Sequence, residues 1–166
     1  MLAQECGLQR PDPGWWAWLR DPHAALALLV AVPVWLGLAL WVGPTTLHYP
    51  AGLLAWASFV MFQPVLEELV FRGILQGQAL RLSIRQGQPL RLGPFTLANV
   101  LVTVGFVMLH LRAQPLAWAL AVAGPSLVLG HLRERLASVW PAILVHAVYN
   151  VGFGLAAWLA SKSAPG

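Results

Sequence analysis

Five apolar runs dominate this chain, and each is near the length an α-helix needs to cross a bilayer. They extend from Ala24 to Val42, Ala51 to about Leu80, Phe95 to Leu111, Pro115 to Gly130 and Ser138 to Ala160. A membrane helix takes roughly 20 apolar residues at about 1.5 Å each. The third and fourth runs are at the short end, so one of them is expected to be partly re-entrant. A soluble reading fails on composition: hydrophobic residues fill 58% of 166 positions and charged ones 10%, against roughly 25% charged in an ordinary soluble domain. That much apolar surface exceeds what one small core covers, which leaves lipid as the solvent. The expectation is an all-α polytopic membrane bundle of about five transmembrane helices. Residues 1–23 form a cytoplasmic N-terminal segment, 24–160 the helical core and 161–166 a tail.

The connections are rich in turn formers and arginine. Val42 to Gly52 is a short Gly/Pro loop, Arg81 to Pro94 a longer polar one, and Gly130 to Ser138 a third. With five spans, Arg10, Arg20, Arg81, Arg85, Arg91, Arg133 and Arg135 fall on one side, and Arg112 and Lys162 on the other. Basic residues in short loops mark the cytoplasmic side, so the N-terminus is expected in the cytoplasm. Trp15, Trp16 and Trp18 precede the first span as an interfacial aromatic anchor. The first 22 residues are polar and Trp-rich and do not read as a cleavable signal peptide. The basic residues are scattered singly, without the stripe that nucleic acid requires. Cys6 is the lone cysteine; it excludes an internal disulfide and a cysteine metal site, and reads as an incidental thiol near a loose terminus.

The informative residues are the polar ones inside the runs, because an ionised side chain at mid-helix costs roughly 2.5–3.5 kcal/mol on insertion scales. Glu67, Glu68 and Arg72 lie together in the second run. Glu68 and Arg72 are four apart on one face and can neutralise each other. Glu67 is turned about 100° from Glu68 and is left over. A leftover buried carboxylate is a candidate general acid or base. In the third run Asn99, Thr103, Phe106 and His110 recur at spacings of 4, 3 and 4, on one helix face. In the fifth run Ala142, His146, Asn150 and Gly154 are each four apart. His146 and Asn150 therefore share a face flanked by small residues, which allow close packing. Counted from the cytoplasmic ends of their spans, Glu67, His110, His146 and Asn150 lie roughly 12–22 Å deep. Singly, each has a bland explanation: a salt bridge, a core histidine, interhelical glue. Together they predict a hydrated, enclosed pocket. His23, His48 and His131 fall in loops or at span ends and read as solvated.

These three places resemble the motifs of the CPBP intramembrane proteases, relatives of the type II CAAX prenyl endopeptidases and of bacterial Abi proteins. The "EELVFR" of Glu67 to Arg72 resembles EExxxR, the "FVMLH" of Phe106 to His110 resembles FxxxH, and the "HAVYN" of His146 to Asn150 resembles HxxxN. The motifs occur in order and cover about half of the chain. The resemblance implies a helical membrane bundle with its site in a cavity between helices. It implies that Glu67 activates the attacking water with His110 assisting, while Glu68 supports the site and Arg72 and Phe106 hold it. It further implies that His146 and Asn150 stabilise the oxyanion of the tetrahedral intermediate. Many relatives have about eight spans, so this chain is expected to keep a minimal core. Some short bacterial relatives accompany C-terminal sorting signals. The expected partner is a membrane-associated protein or peptide, with a sorting or CAAX-like signal as one candidate substrate.

Peptide hydrolysis needs a nucleophilic water, a proton donor for the leaving amine and donors for the oxyanion. A glutamate with histidine supplies the first two, and a second histidine with asparagine the third. A zinc version would use Glu67, His110 and His146 as ligands. There is no HExxH, and the cofactor-free glutamic mechanism is the favoured expectation. A serine version would use Ser126 of "GPS" with His146, yet Gly124, Ser126 and Gly130 read better as small packing residues. The non-enzymatic alternatives are an interaction or immunity protein on the same fold and a transporter with Glu67 as proton carrier.

Overall fold

In this computed structural model, residues 2–12, 14–42, 50–85, 87 and 89–162 are described. They form α1 (Leu2–Glu5), a 3-10 turn (Ala17–Arg20), α2 (Pro22–Trp41) and α3 (Leu53–Arg85). A hairpin follows, β1 (Arg91–Leu92) with β2 (Phe95–Thr96), and then α4 (Leu97–His110), α5 (Leu116–Arg135) and α6 (Trp140–Lys162). The protein is thus an all-α polytopic bundle, and α2, α3, α5 and α6 are long and apolar enough to cross a membrane. The third expected span is the short one: α4 has 14 residues, about 21 Å of helix against a hydrocarbon core of roughly 30 Å. Residues 43–49, with His48, and residues 163–166 lie outside the described residues.

Local chemistry sets the element ends. Asp21 caps α2, accepting from the N–H groups of His23 and Ala24. Thr96 caps α4 through the N–H of Asn99. The hairpin takes Arg91 and Leu92 from the polar loop and Phe95 and Thr96 from the start of the third run; Gly93, at φ 61°, takes the left-handed corner that its two-residue turn requires.

Small residues set the packing. Ala24, Ala27 and Ala31 are the buried positions of α2, whose main neighbour is α6. Leu26, Leu29, Val30 and Leu40 of the same helix stand exposed, the pattern of a helix with lipid around it. A Cβ at Gly152 would run into the Trp35 ring, one at Gly154 into Trp56, and one at Gly130 into the Asn99 side chain. Gly124 has open space around it and no such role. At one end of the bundle Trp18 packs with Ala24, Leu129, Leu132, Leu136 and Val145. Trp18 is therefore a core residue rather than an interfacial anchor. Trp15 stacks near Trp140, and Trp16 is 77% exposed.

The N-terminal segment is not loose. Glu5 pairs with Arg81 at 2.8 Å, and Arg133 donates to the Glu5 carbonyl. The Val139 N–H donates to Gly7, that of Asp12 to Leu136, and the Ser138 hydroxyl to Gln9. Gly77 makes room for this strap, since a Cβ there would run into the Glu5 carbonyl. Cys6 sits within the strap, beside Gly73. Arg135 pairs with Asp21 at 2.8 Å, so Arg81, Arg133 and Arg135 gather at the end where α2 starts. His23 and His131 are also paired there, with ring nitrogens 3.0 Å apart, rather than separately solvated.

Candidate active site

The helix α3 carries both carboxylates, and it is not a uniform α-helix. Its hydrogen bonds widen into π-turns over Ser58–Phe62 and Leu69–Leu75. The first has a visible cause and consequence. The Gln63 N–H bonds to the Ser58 carbonyl, and Pro64 has no N–H to give. The Phe59 carbonyl is thereby left without a donor from its own helix. Asn150 of α6 supplies one, its Nδ2 donating at 2.7 Å. A main-chain carbonyl within a membrane helix needs a partner, so Asn150 ties α6 to α3 one turn beyond His146.

The predicted pair is present: Arg72 Nε lies 3.1 Å from Glu68 Oε2, and both side chains are essentially buried. The other oxygen of Glu68 receives His146 Nδ1 at 2.8 Å. A carboxylate facing a guanidinium only accepts, so Nδ1 carries the proton. His146 Nε2 then points the other way, 3.9 Å from Glu67 Oε2. That is ion-pair range and beyond a hydrogen bond. Glu67, the acid that Arg72 does not neutralise, keeps 27% of its side chain exposed, and His146 12%.

On α4 the stripe turns inward as expected: Asn99, Thr103 and Phe106 are buried, and His110 partly so. The Phe106 ring lies 4.7 Å under the Arg72 guanidinium, 5.0 Å from the Phe71 ring and 4.4 Å from the His110 ring. Its supporting role is a packing one, aided by cation–π attraction. His110 Nδ1 donates to the Phe106 carbonyl at 2.9 Å, which leaves Nε2 as its available atom. His110 is close enough to Glu67 to interact with it electrostatically.

The structure thus brings Glu67, Glu68, Arg72 and His146 together, with Phe106 and His110 beside them and Asn150 a turn away. It differs from the expectation at His146, whose Nδ1 is taken by Glu68. Ser126, Gln76, Thr96 and Glu134 were not foreseen beside these residues. Arg72 Nη2 bonds to the Ser126 hydroxyl at 2.8 Å, and Thr103 to the same hydroxyl at 2.8 Å. Gln76 and Thr96 each donate to Glu134 at 2.6 Å. Ser126 is therefore a buried hydrogen-bonding residue, neither inert packing nor a partner of His146. Gln76 was findable, since it continues the spacing of Glu68 and Arg72. Two apolar grooves lie elsewhere. One of about 540 Å³ runs along Ala57, Met61, Phe62 and Val65, and one of about 260 Å³ between Trp35, Leu36, Gly152 and Leu155.

The zinc set of Glu67, His110 and His146 is not assembled in this structure. Among the described residues no three His, Cys, Asp or Glu side chains are grouped closely enough to hold a metal ion. His110 and His146 use Nδ1 for a carbonyl and for Glu68, respectively, an arrangement that histidines binding a metal through Nε2 also adopt.

A family model described as Rce1-like, type II CAAX prenyl endopeptidase, matches residues 49–152. No curated protein and no solved structure matches the chain.

Proposed function

The chain belongs to the Rce1-like family of type II CAAX prenyl endopeptidases, and from that premise we propose an intramembrane endopeptidase that cleaves a membrane-associated protein without a metal. The observation that carries the reading is the division of labour between two adjacent acids. Glu68 is held by Arg72 and His146, while Glu67 has no arginine partner, is partly exposed and lies 3.9 Å from a histidine nitrogen.

In the proposed reaction Glu67 takes a proton from a water molecule as the oxygen attacks the scissile carbonyl carbon. The carbonyl oxygen becomes an oxyanion. His146, whose Nδ1 proton serves Glu68, donates to it through Nε2 once the proton taken from water has passed from Glu67 to that nitrogen. Asn150 retains a second Nδ2 hydrogen beyond the one given to Phe59. His110, with Nε2 available, assists Glu67. The proton from water passes to the leaving amine as the C–N bond breaks, and the Glu67 carboxylate is restored. The arginine-rich end, with the N-terminal strap, is the cytoplasmic one. A C-terminal sorting or CAAX-like signal is the proposed substrate class.

The test is cleavage of tagged membrane peptides by purified protein in detergent, with and without a chelator, alongside His110→Ala and Asn150→Ala. Loss of cleavage in both folded variants, with chelator resistance in the wild type, supports the reading. Chelator-sensitive cleavage would overturn the metal-free mechanism. Full activity in both variants would overturn the assigned roles.

A further inference from the structure

Ser126 belongs to none of the three motifs, yet it is completely buried and sits between two polar partners. Arg72 Nη2 reaches its hydroxyl at 2.8 Å and its carbonyl at 3.1 Å. Arginine only donates, so both Ser126 oxygens accept, and a hydroxyl proton links Ser126 to Thr103 at 2.8 Å. The guanidinium is therefore gripped from α5 by a single residue, while Phe106 covers its face and Glu68 meets its Nε. The line continues from Glu68 to His146. Thr103, Ser126, Arg72, Glu68 and His146 come from α4, α5, α3, α3 and α6, so one chain of contacts joins four helices.

We infer that Ser126 is a positioning residue of the proposed site, acting through Arg72 and Glu68 on His146. The terminal torsion of a carboxylate is soft. What fixes the Glu68 oxygens is the fixed guanidinium on one side and the imidazole on the other. With Arg72 anchored, Glu68 holds His146 in the Nδ1–H form and keeps Nε2 toward Glu67. Without the Ser126 hydroxyl, α5 holds Arg72 by the Ser126 carbonyl alone. The carboxylate then turns with it, and His146 loses its single tautomer. The catalytic meaning rests on the endopeptidase reading; the control of His146 does not.

Two full-length variants test this in detergent micelles, with ¹⁵N-labelled histidine read by NMR and His146 assigned through His146→Gln. Ser126→Ala removes the hydroxyl. Thr103→Val removes the second link with little change of shape, and carries the test if Ser126→Ala does not fold. The wild type is expected to show one Nδ1–H tautomer at His146, and the variants a mixture. In the cleavage assay kcat is expected to fall about tenfold or more, the size of a lost hydrogen bond to a charged group, with KM within about twofold. A His146 spectrum identical to wild type in the folded variants would overturn the inference. A wild type that shows the single tautomer, with variants that lose it, and yet cuts no peptide would contradict the endopeptidase reading while supporting this one.

Discussion

Replacing Arg72 with methionine strips the buried pair of its cation and leaves the rest of α3 in place. The magnitude follows from geometry and burial. At 3.1 Å and an effective dielectric of about 20, the attraction is about 5 kcal/mol. Desolvating both ions offsets much of that in the native protein, so the pair itself is worth less. Removing one partner is different, because Glu68 remains, completely buried, with its charge uncompensated. Such a loss costs about 3–5 kcal/mol. The two contacts to Ser126 disappear in the same step. The double variant Arg72→Met with Glu68→Gln removes both charges and keeps an amide to face His146. It is expected to recover about 2 kcal/mol of the loss. Equilibrium unfolding by sodium dodecyl sulfate in mixed micelles, followed by tryptophan fluorescence, measures all three. A loss under about 1 kcal/mol for Arg72→Met, the size of an exposed pair, would refute the reasoning. So would a double variant no more stable than the single one.

Two further outcomes test parts of the fold away from the site. Gly77→Ala places a Cβ against the Glu5 carbonyl; it is expected to cost about 1–3 kcal/mol and to speed amide hydrogen exchange across residues 5–12, and unchanged exchange would remove the strap's dependence on Gly77. The Asp21 carboxyl is held below its ordinary 3.8: burial pushes it up, and hydrogen bonds from Arg135, Ala24 and His23 outweigh that. Its stabilisation is therefore complete above the ordinary value and is lost as pH falls through the lowered native one. Asp21→Ala is expected to cost about 1 kcal/mol at neutral pH as a lost cap, and the difference from wild type should vanish in strong acid in the same unfolding titration.

What could be read from the sequence was what helical spacing encodes. Glu68 with Arg72, the stripe from Asn99 to His110, and His146 with Asn150 are all i,i+3 or i,i+4 sets, and each shares a face in the structure. Spacing says nothing about which helix a face meets. That Glu68 rather than Glu67 receives His146, and that Arg72 ends on Ser126, are tertiary facts of this kind. Length alone left α4 ambiguous, because Phe95 and Thr96, apolar enough to extend the run, are taken by the hairpin. The strap was invisible for another reason. Most of its hydrogen bonds use main-chain atoms of residues 5–12, and main-chain pairing leaves no side-chain signature. Gly73 and Gly77 look like an ordinary small-residue helix face, yet the chain they admit is the protein's own N-terminal segment. Asn150 donates across the helix interface to the Phe59 carbonyl, which Pro64 leaves without a partner in its own helix.

The central claim is that Glu67, the acid without an arginine, performs the chemistry. The direct measurement is cleavage of tagged membrane peptides by wild type and Glu67→Gln, each shown to be folded by its unfolding midpoint. The account predicts wild-type cleavage, a Glu67→Gln variant of near wild-type stability, and activity lowered by at least about a hundredfold, as for loss of a general base. Cleavage by folded Glu67→Gln at the wild-type rate would contradict it.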